Sequence, residues 1–295
     1  MTPPTTWTVV DPAGWLEPLA QRLSRSPEQP WLFHRPGWTW RWRSFQQVAD
    51  QAARGARVLS GQDELPVALG LHPHPDSLAL LLAALASQHP TLLCPRDTQS
   101  LPSMANAWLT ARERKNAEGP RDPGHLVLPP CHVGFEAWTP QSLPSPLPTE
   151  TRLAWMDASG EDHPPPVLMA EALESFDRTL QDLPTGRKRD RPIVFTGPSL
   201  DPFSTLVVAA WTLRRHAVWL FEGEMEAFPP AVRWARPTLV VASAEELESL
   251  APEIGRQGRQ RRLQAVVQMD SELLSEKSAV HWQSLGIPVL APSWT

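Results

Sequence analysis

Residues 66–94, PVALGLHPHPDSLALLLAALASQHPTLLC, place two short apolar runs on either side of one apolar run of helix length. Pro66 to Leu71 reads as a buried strand and His72 to Pro75 as a loop. Asp76 or Ser77 then caps a helix from Leu78 to Ser87, and Thr91 to Cys94 is a second strand. Two strands joined through a helix pair in parallel, with the helix laid across one face of the sheet. The chain is thereby limited to layered α/β architectures. Upstream, Trp38 to Trp42 (WTWRW) alternates as a strand does after the turn-like Arg35-Pro36-Gly37. Ser44 caps a helix from Phe45 to Leu59 that carries Val48, Ala52, Ala56 and Leu59 on one face.

The alternation returns in the second half. Strands are expected at Ile193 to Thr196, Ala217 to Phe221, Thr238 to Ala242, Ala265 to Val267 and Ile287 to Leu290. Helices are expected over Val167 to Leu183, over Thr205 to Leu213, after Pro229-Pro230, after Ser243 and before Ile287. Ser243 with Glu246 three residues on is a capping-box pattern. A chain of 295 residues fits two medium cores better than one large one. The 34 prolines cluster between the halves, notably at Pro140 to Pro148. We therefore expect an α/β protein of two stacked subdomains with mainly parallel sheets, 1–145 and 150–295, with a linker at about 140–150. Thr98 to Pro148 gives no assignable element.

A net charge of −5 gives no basic field for nucleic acid or anionic lipid, and the basic runs Arg187 to Arg189 and Arg259 to Arg262 read as solvated loops. No apolar run approaches the ~18 residues of a membrane span, and the N-terminus has no signal-peptide pattern. The two cysteines, Cys94 and Cys131, suit a reducing compartment, so a soluble cytoplasmic protein is expected. His72, His74 and Asp76 share one loop but lack a second ligand cluster. Cys131 and His132 are chain neighbours, which rarely have nucleophile–base geometry. No metal site and no catalytic residue is read from them.

Between an apolar run and a helical pattern stands WMDASGEDHPPPV, Trp155 to Val167. Its position, and the order of strands and helices around it, resemble the adenylate-forming (AMP-binding) ligase superfamily of acyl-CoA synthetases and adenylation domains. The resemblance implies the large N-terminal domain of those enzymes, truncated and without the C-terminal lid domain. There this segment is a Ser/Thr- and Gly-rich phosphate loop ending in Pro-Lys, whose backbone N–H groups and lysine hold ATP phosphates. Here Asp157, Ser159, Gly160 and Glu161 stand in it, Asp162 follows Glu161 with a further negative charge, and Pro164 to Pro166 offer no N–H. The superfamily's Gly-Gly-Ala adenine loop corresponds to Met269, Asp270 and Ser271. Its acyl-pocket aromatic-His step corresponds to Asp201, with Phe203 nearby. Its Tyr-Gly-x-Thr-Glu motif corresponds to Pro292 to Thr295, with Thr295 in the Thr position and no Glu.

The resemblance thus implies a degenerate site, with neither ATP nor Mg²⁺ bound, and a non-catalytic, accessory protein of an acyl or aryl carboxylate pathway. Its expected partner is a second copy, a pathway enzyme or an acyl carrier protein. Two alternatives stay open: half of a split ligase that would use ATP and Mg²⁺ with a second chain, and a carrier of an acyl ligand.

Overall fold

The computed structural model describes residues 7–35, 39–61, 65–95, 98, 105, 107–111, 125–128, 147–156, 169–181, 191–221, 224–255 and 263–294. The chain is α/β, with two mostly parallel sheets. It divides into two compact units, and each borrows a segment from the other's half of the sequence. The first is Met1–Gln29, Arg43–Pro165 and Asp201–Phe203; the second is Pro30–Trp42, Pro166–Leu200 and Ser204–Thr295.

The first unit is built on a six-stranded sheet. In chain order its strands are β1 (Thr8–Val10), β4 (Val67–Gly70), β5 (Thr91–Cys94), β6 (Ala107–Ala111), β7 (His125–Leu128) and β8 (Thr151–Trp155). Across the sheet they run β1-β8-β5-β4-β6-β7, and all pair in parallel except β1, which is antiparallel to β8. Helices α1 (Ala13–Arg25), α2 (Phe45–Ser60) and α3 (Pro75–Ser87) belong to this unit, α2 and α3 packed on each other. The crossover from β4 through α3 to β5 is the one expected from the sequence. The capping box at Ser44 also forms, with the Gln47 N–H on the Ser44 hydroxyl at 3.1 Å and the Ser44 N–H on the Gln47 side chain at 3.0 Å. The cap of α3 is a correction: it is His74, whose ring Nδ1 accepts the Asp76 N–H at 3.2 Å, with Pro75 in the first turn. Prolines in a first turn lack only N–H groups the helix could not pair anyway.

The second unit carries a seven-stranded sheet, ordered β13-β12-β11-β9-β10-β2-β3. These are β2 (Pro30–His34), β3 (Arg41–Ser44), β9 (Ile193–Thr196), β10 (Val218–Phe221), β11 (Leu239–Ala242), β12 (Ala265–Gln268) and β13 (Val289–Leu290). The helices are α4 (Met169–Thr179), α5 (Pro202–Arg215), α6 (Phe228–Ala235), α7 (Ala244–Gly255) and α8 (Glu276–Ser284). The strands from β13 to β2 pair in parallel. One core cluster gathers Phe195, Leu220, Phe228, Val232, Leu247, Ile254, Val266 and Trp282, all buried. Continuous burial of the central strands (LVVA, AVVQ) explains why they read as apolar runs rather than as alternation.

Several elements differ from the sequence reading. The strand placed at Trp38 to Trp42 lies instead at Arg41–Ser44, and β1, α1, β2, β6 and β7 had no forecast. Proline hid two of them: α1 contains Pro18 and β2 opens on Pro30. The change of unit near residue 150 also moves, to Pro165/Pro166, because Thr151–Trp155 hydrogen-bonds into the first sheet between β1 and β5.

Within β8 the Thr151 hydroxyl is buried with no hydrogen-bond partner, in a residue only 3% exposed. A buried donor without a partner keeps its desolvation cost. Thr151→Val should therefore raise stability by about 1 kcal/mol, read as a higher urea midpoint at unchanged slope.

Candidate functional site

In an open parallel sheet, ligands bind beyond the carboxyl ends of the strands where strand order reverses. In the second unit that point lies between β9 and β11: the chain leaves β9 through α5 to β10 on one side, then returns to β11 on the other. The loops meeting there are Gly197 to Leu200 after β9, Ser243 after β11, and Met269 to Ser275 after β12.

The crevice is filled from within. Glu246, on the first turn of α7, is fully buried. Its Oε1 accepts the Ser199 N–H at 2.7 Å and its Oε2 the Ser243 N–H at 2.8 Å. The Ser243 hydroxyl accepts the Glu246 N–H at 3.3 Å and the Ser199 hydroxyl at 3.2 Å. The capping pair expected from the sequence is therefore present, but its carboxylate also clamps the β9 loop. Gly197 makes room for it: a Cβ on Gly197 would fall within the Glu246 carboxylate. The strand-end backbone holds the same place, with the Gly197 N–H on the Val241 carbonyl at 2.9 Å.

Beside it Asp270 does the same for the next donor. Its Oδ2 accepts the Ala244 N–H, the first of α7, at 2.9 Å, and its Oδ1 accepts the Gln268 side-chain amide at 2.9 Å. The Gln268 amide also donates to the carbonyls of Asp270 and Glu272, so the loop after β12 closes on itself. Met269 is buried and Ser271 is exposed. Helix N-termini attract anions because their first N–H groups lack intrahelical partners. At α7 the anions are the protein's own Glu246 and Asp270.

The segment after β13 is anchored on α4. The Ser293 N–H donates to the Ser175 hydroxyl at 3.1 Å, the two serine hydroxyls lie 2.7 Å apart, and Trp294 packs on Phe176 with ring centres 6.4 Å apart. Phe203 is buried in the first unit, where its ring meets Trp155 edge-on at 6.2 Å; Asp201, just before α5, is exposed. Asp157, Ser159, Gly160, Glu161, the three prolines after them, Thr295, the Cys131–His132 pair and the two basic runs lie outside the described residues. So the structure brings Gly197, Ser199, Ser243, Glu246, Met269 and Asp270 together. Of these, the sequence reading had assigned site positions only to Met269 and Asp270.

Elsewhere, polar groups are used locally. A ring nitrogen of His72 lies 3.1 Å from the Gly70 carbonyl and from the Ser77 hydroxyl, and Asp76 accepts the Gln51 amide at 3.1 Å. Among the described residues no group of three or more His, Cys, Asp or Glu could hold a metal. Burial pushes the Cys94 thiol up to about 12, leaving it protonated and unreactive at neutral pH. A cavity of about 480 Å³ lined by Ser60, Gln88, His89, Glu150 and Arg152 lies at the amino ends of β5 and β8, away from the strand ends where this fold class binds ligands. No described helix is long and apolar enough to cross a membrane.

No protein-family profile and no curated protein matches the sequence. Solved structures do match. The nonribosomal peptide synthetase FmoA3 aligns at a TM-score of 0.68 and 14% identity, over 98% of this chain and 32% of its own. Unliganded O-succinylbenzoate coenzyme A synthetase (MenE) from Bacillus subtilis aligns at 0.64 and 12%, over 96% and 58%. The fatty acyl-adenylate ligase from L. pneumophila, in complex with acyl adenylate and pyrophosphate, aligns at 0.66 and 12%, over 92% and 52%. The fold is that of the adenylate-forming ligases. The chain spans about a third to just under three fifths of these three enzymes. Against this adenylate-forming fold, the donors at the α7 N-terminus and the loop after β12 do not fit a nucleotide: both are already bonded to the chain's own carboxylates and carbonyls.

Proposed function

We propose that this chain is a non-catalytic protein of the adenylate-forming ligase fold that acts by binding a protein partner in an acyl or aryl carboxylate pathway. The observation that carries this reading is Glu246 in the strand-order crevice, with two loop N–H groups on one buried carboxylate. A phosphate or a base edge would have to displace a satisfied internal anion and then meet the carboxylate of Asp270. The sequence of the 157–166 segment points the same way, with three acidic residues (Asp157, Glu161 and Asp162) and three prolines where a phosphate loop presents N–H groups. The pathway class comes from the neighbours, which include a fatty acyl-adenylate ligase and an O-succinylbenzoate coenzyme A synthetase.

The test is titration calorimetry of the purified chain with Mg·ATP. No saturable heat is expected at millimolar nucleotide. A saturable isotherm with a micromolar Kd overturns the proposal and favours half of a split ligase. A co-purified acyl ligand, found by mass spectrometry of the denatured protein, overturns it in favour of a carrier.

A further inference from the structure

The cavity of about 480 Å³ at the amino ends of β5 and β8 lies wholly within the first unit. Helices α2 and α3 pack on each other and both end at it: Leu59 and Ser60 close α2, Ser87 closes α3 with Gln88 as its cap, and all four residues line the cavity. The last carbonyls of a helix have no N–H partner within it, and that end carries partial negative charge. Two such ends therefore meet at one cavity. Gln88 takes a left-handed backbone there, φ 59°. Glycine adopts that conformation without steric cost, so glutamine keeps an amide in the lining at some expense of strain.

The side chains of the lining add acceptors. His89 is only 5% exposed, and its Nε2 lies 2.9 Å from the Leu65 carbonyl. A carbonyl only accepts, so Nε2 carries the proton and the neutral ring keeps Nδ1 as an acceptor. Among the described residues nothing donates to that nitrogen. Thr151, in the same lining, keeps a buried hydroxyl with no hydrogen-bond partner. Glu150 lines the cavity as well, and no cation or donor of the described residues meets its carboxylate. Arg152 is the only arginine or lysine of the lining, and it already interacts within the chain. Val9, Leu59 and Pro90 supply apolar wall.

We propose that this cavity is a binding site for a small molecule carrying a primary ammonium on a short carbon skeleton. The ammonium has three donors and no acceptor. That matches the His89 Nδ1, the Glu150 carboxylate and the helix-end carbonyls, and its charge is the one that two helix C-termini favour. The skeleton lies on Val9, Leu59 and Pro90. The volume falls within the range of small-molecule sites. A carboxylate or phosphate ligand would instead meet Glu150 and the negative helix ends. The site belongs to the first unit alone and does not depend on the reading of the crevice in the second.

The test is titration of the full chain with pentylamine, spermidine and L-lysine, and with pentanol and pentanoate as neutral and anionic controls on the same skeleton. Binding is followed by calorimetry and by the ring nitrogen resonances of ¹⁵N-labelled histidine. At least one amine should saturate the chain below about 10 mM, with both controls about tenfold weaker or more. The His89 Nδ1 resonance should move as that nitrogen accepts a hydrogen bond, while Nε2, held by the Leu65 carbonyl, stays in place. Glu150→Gln removes the charge from an exposed side chain, so it should melt with wild type and bind the amine about tenfold more weakly. No saturable amine binding overturns the proposal. So does an amine that leaves the Nδ1 resonance unmoved or binds Glu150→Gln as tightly as wild type. Pentanol or pentanoate bound as tightly as pentylamine overturns the ammonium assignment.

Discussion

Glu246→Ala is expected to lower the stability of the second unit by about 3 kcal/mol, a fall in Tm of roughly 6–12 °C for a unit of this size. The carboxylate is fully buried and accepts two backbone N–H groups from different loops, Ser199 at 2.7 Å and Ser243 at 2.8 Å. Alanine leaves both donors buried and unpaired and removes the link between the ends of β9 and β11. Glu246→Gln keeps one oxygen and should lose less than alanine, although its amide NH₂ then faces one of the N–H donors. Thermal unfolding gives the magnitude. Amide exchange assigns the cause: the Ser199 and Ser243 amides should lose protection before the strands do. A Glu246→Ala protein that melts with wild type would show that the carboxylate is not the clamp its geometry implies.

Gly197→Ala should cost a similar amount, because the added Cβ takes the volume of that carboxylate and forces it off its donors. The two substitutions remove one interaction by different routes, so their effects should not add. In Gly197→Ala/Glu246→Ala the small side chain at 246 vacates the space the new methyl needs. The double variant should be no less stable than Glu246→Ala alone, a coupling of about 3 kcal/mol in a double-mutant cycle. Full additivity would mean that Gly197 is needed for its own backbone conformation rather than for the space it leaves. If the crevice were a nucleotide site in waiting, clearing it with Glu246→Ala would also create Mg·ATP binding. With Asp270 still on the Ala244 N–H, none is expected.

The strands and helices that carry the adenylate-forming fold were legible where one residue class dominates a short window. Thr91–Cys94 and Ile193–Thr196 read correctly because buried parallel strands are continuous apolar runs. The helix after Ser44 read correctly because its cap and its apolar face agree. Residues 107–111 and 125–128 did not, since each strand is a few residues long within a proline-rich stretch that offers no period to count. The strand at Trp38 to Trp42 was displaced for a related reason. Alternating tryptophans mimic a half-buried strand, yet Trp40 is held by stacking on Trp234, nearly two hundred residues away.

The sequence by itself determined the layered α/β class, the parallel crossovers and the Ser243–Glu246 cap, because these depend on contacts within a few residues or on burial that composition reveals. It also marked Met269 and Asp270 as unlike an adenine loop. Only the tertiary structure decided what fills the crevice. Glu246 reads as an ordinary helix cap until β9 brings Ser199 and Gly197 against it, and Asp270 reads only as a carboxylate in the place of an adenine loop until α7 presents the Ala244 N–H. Those partners lie 47 and 26 residues away along the chain, and no local pattern encodes them. Pairing across such distances is a property of strand order, and the tertiary fold sets that order.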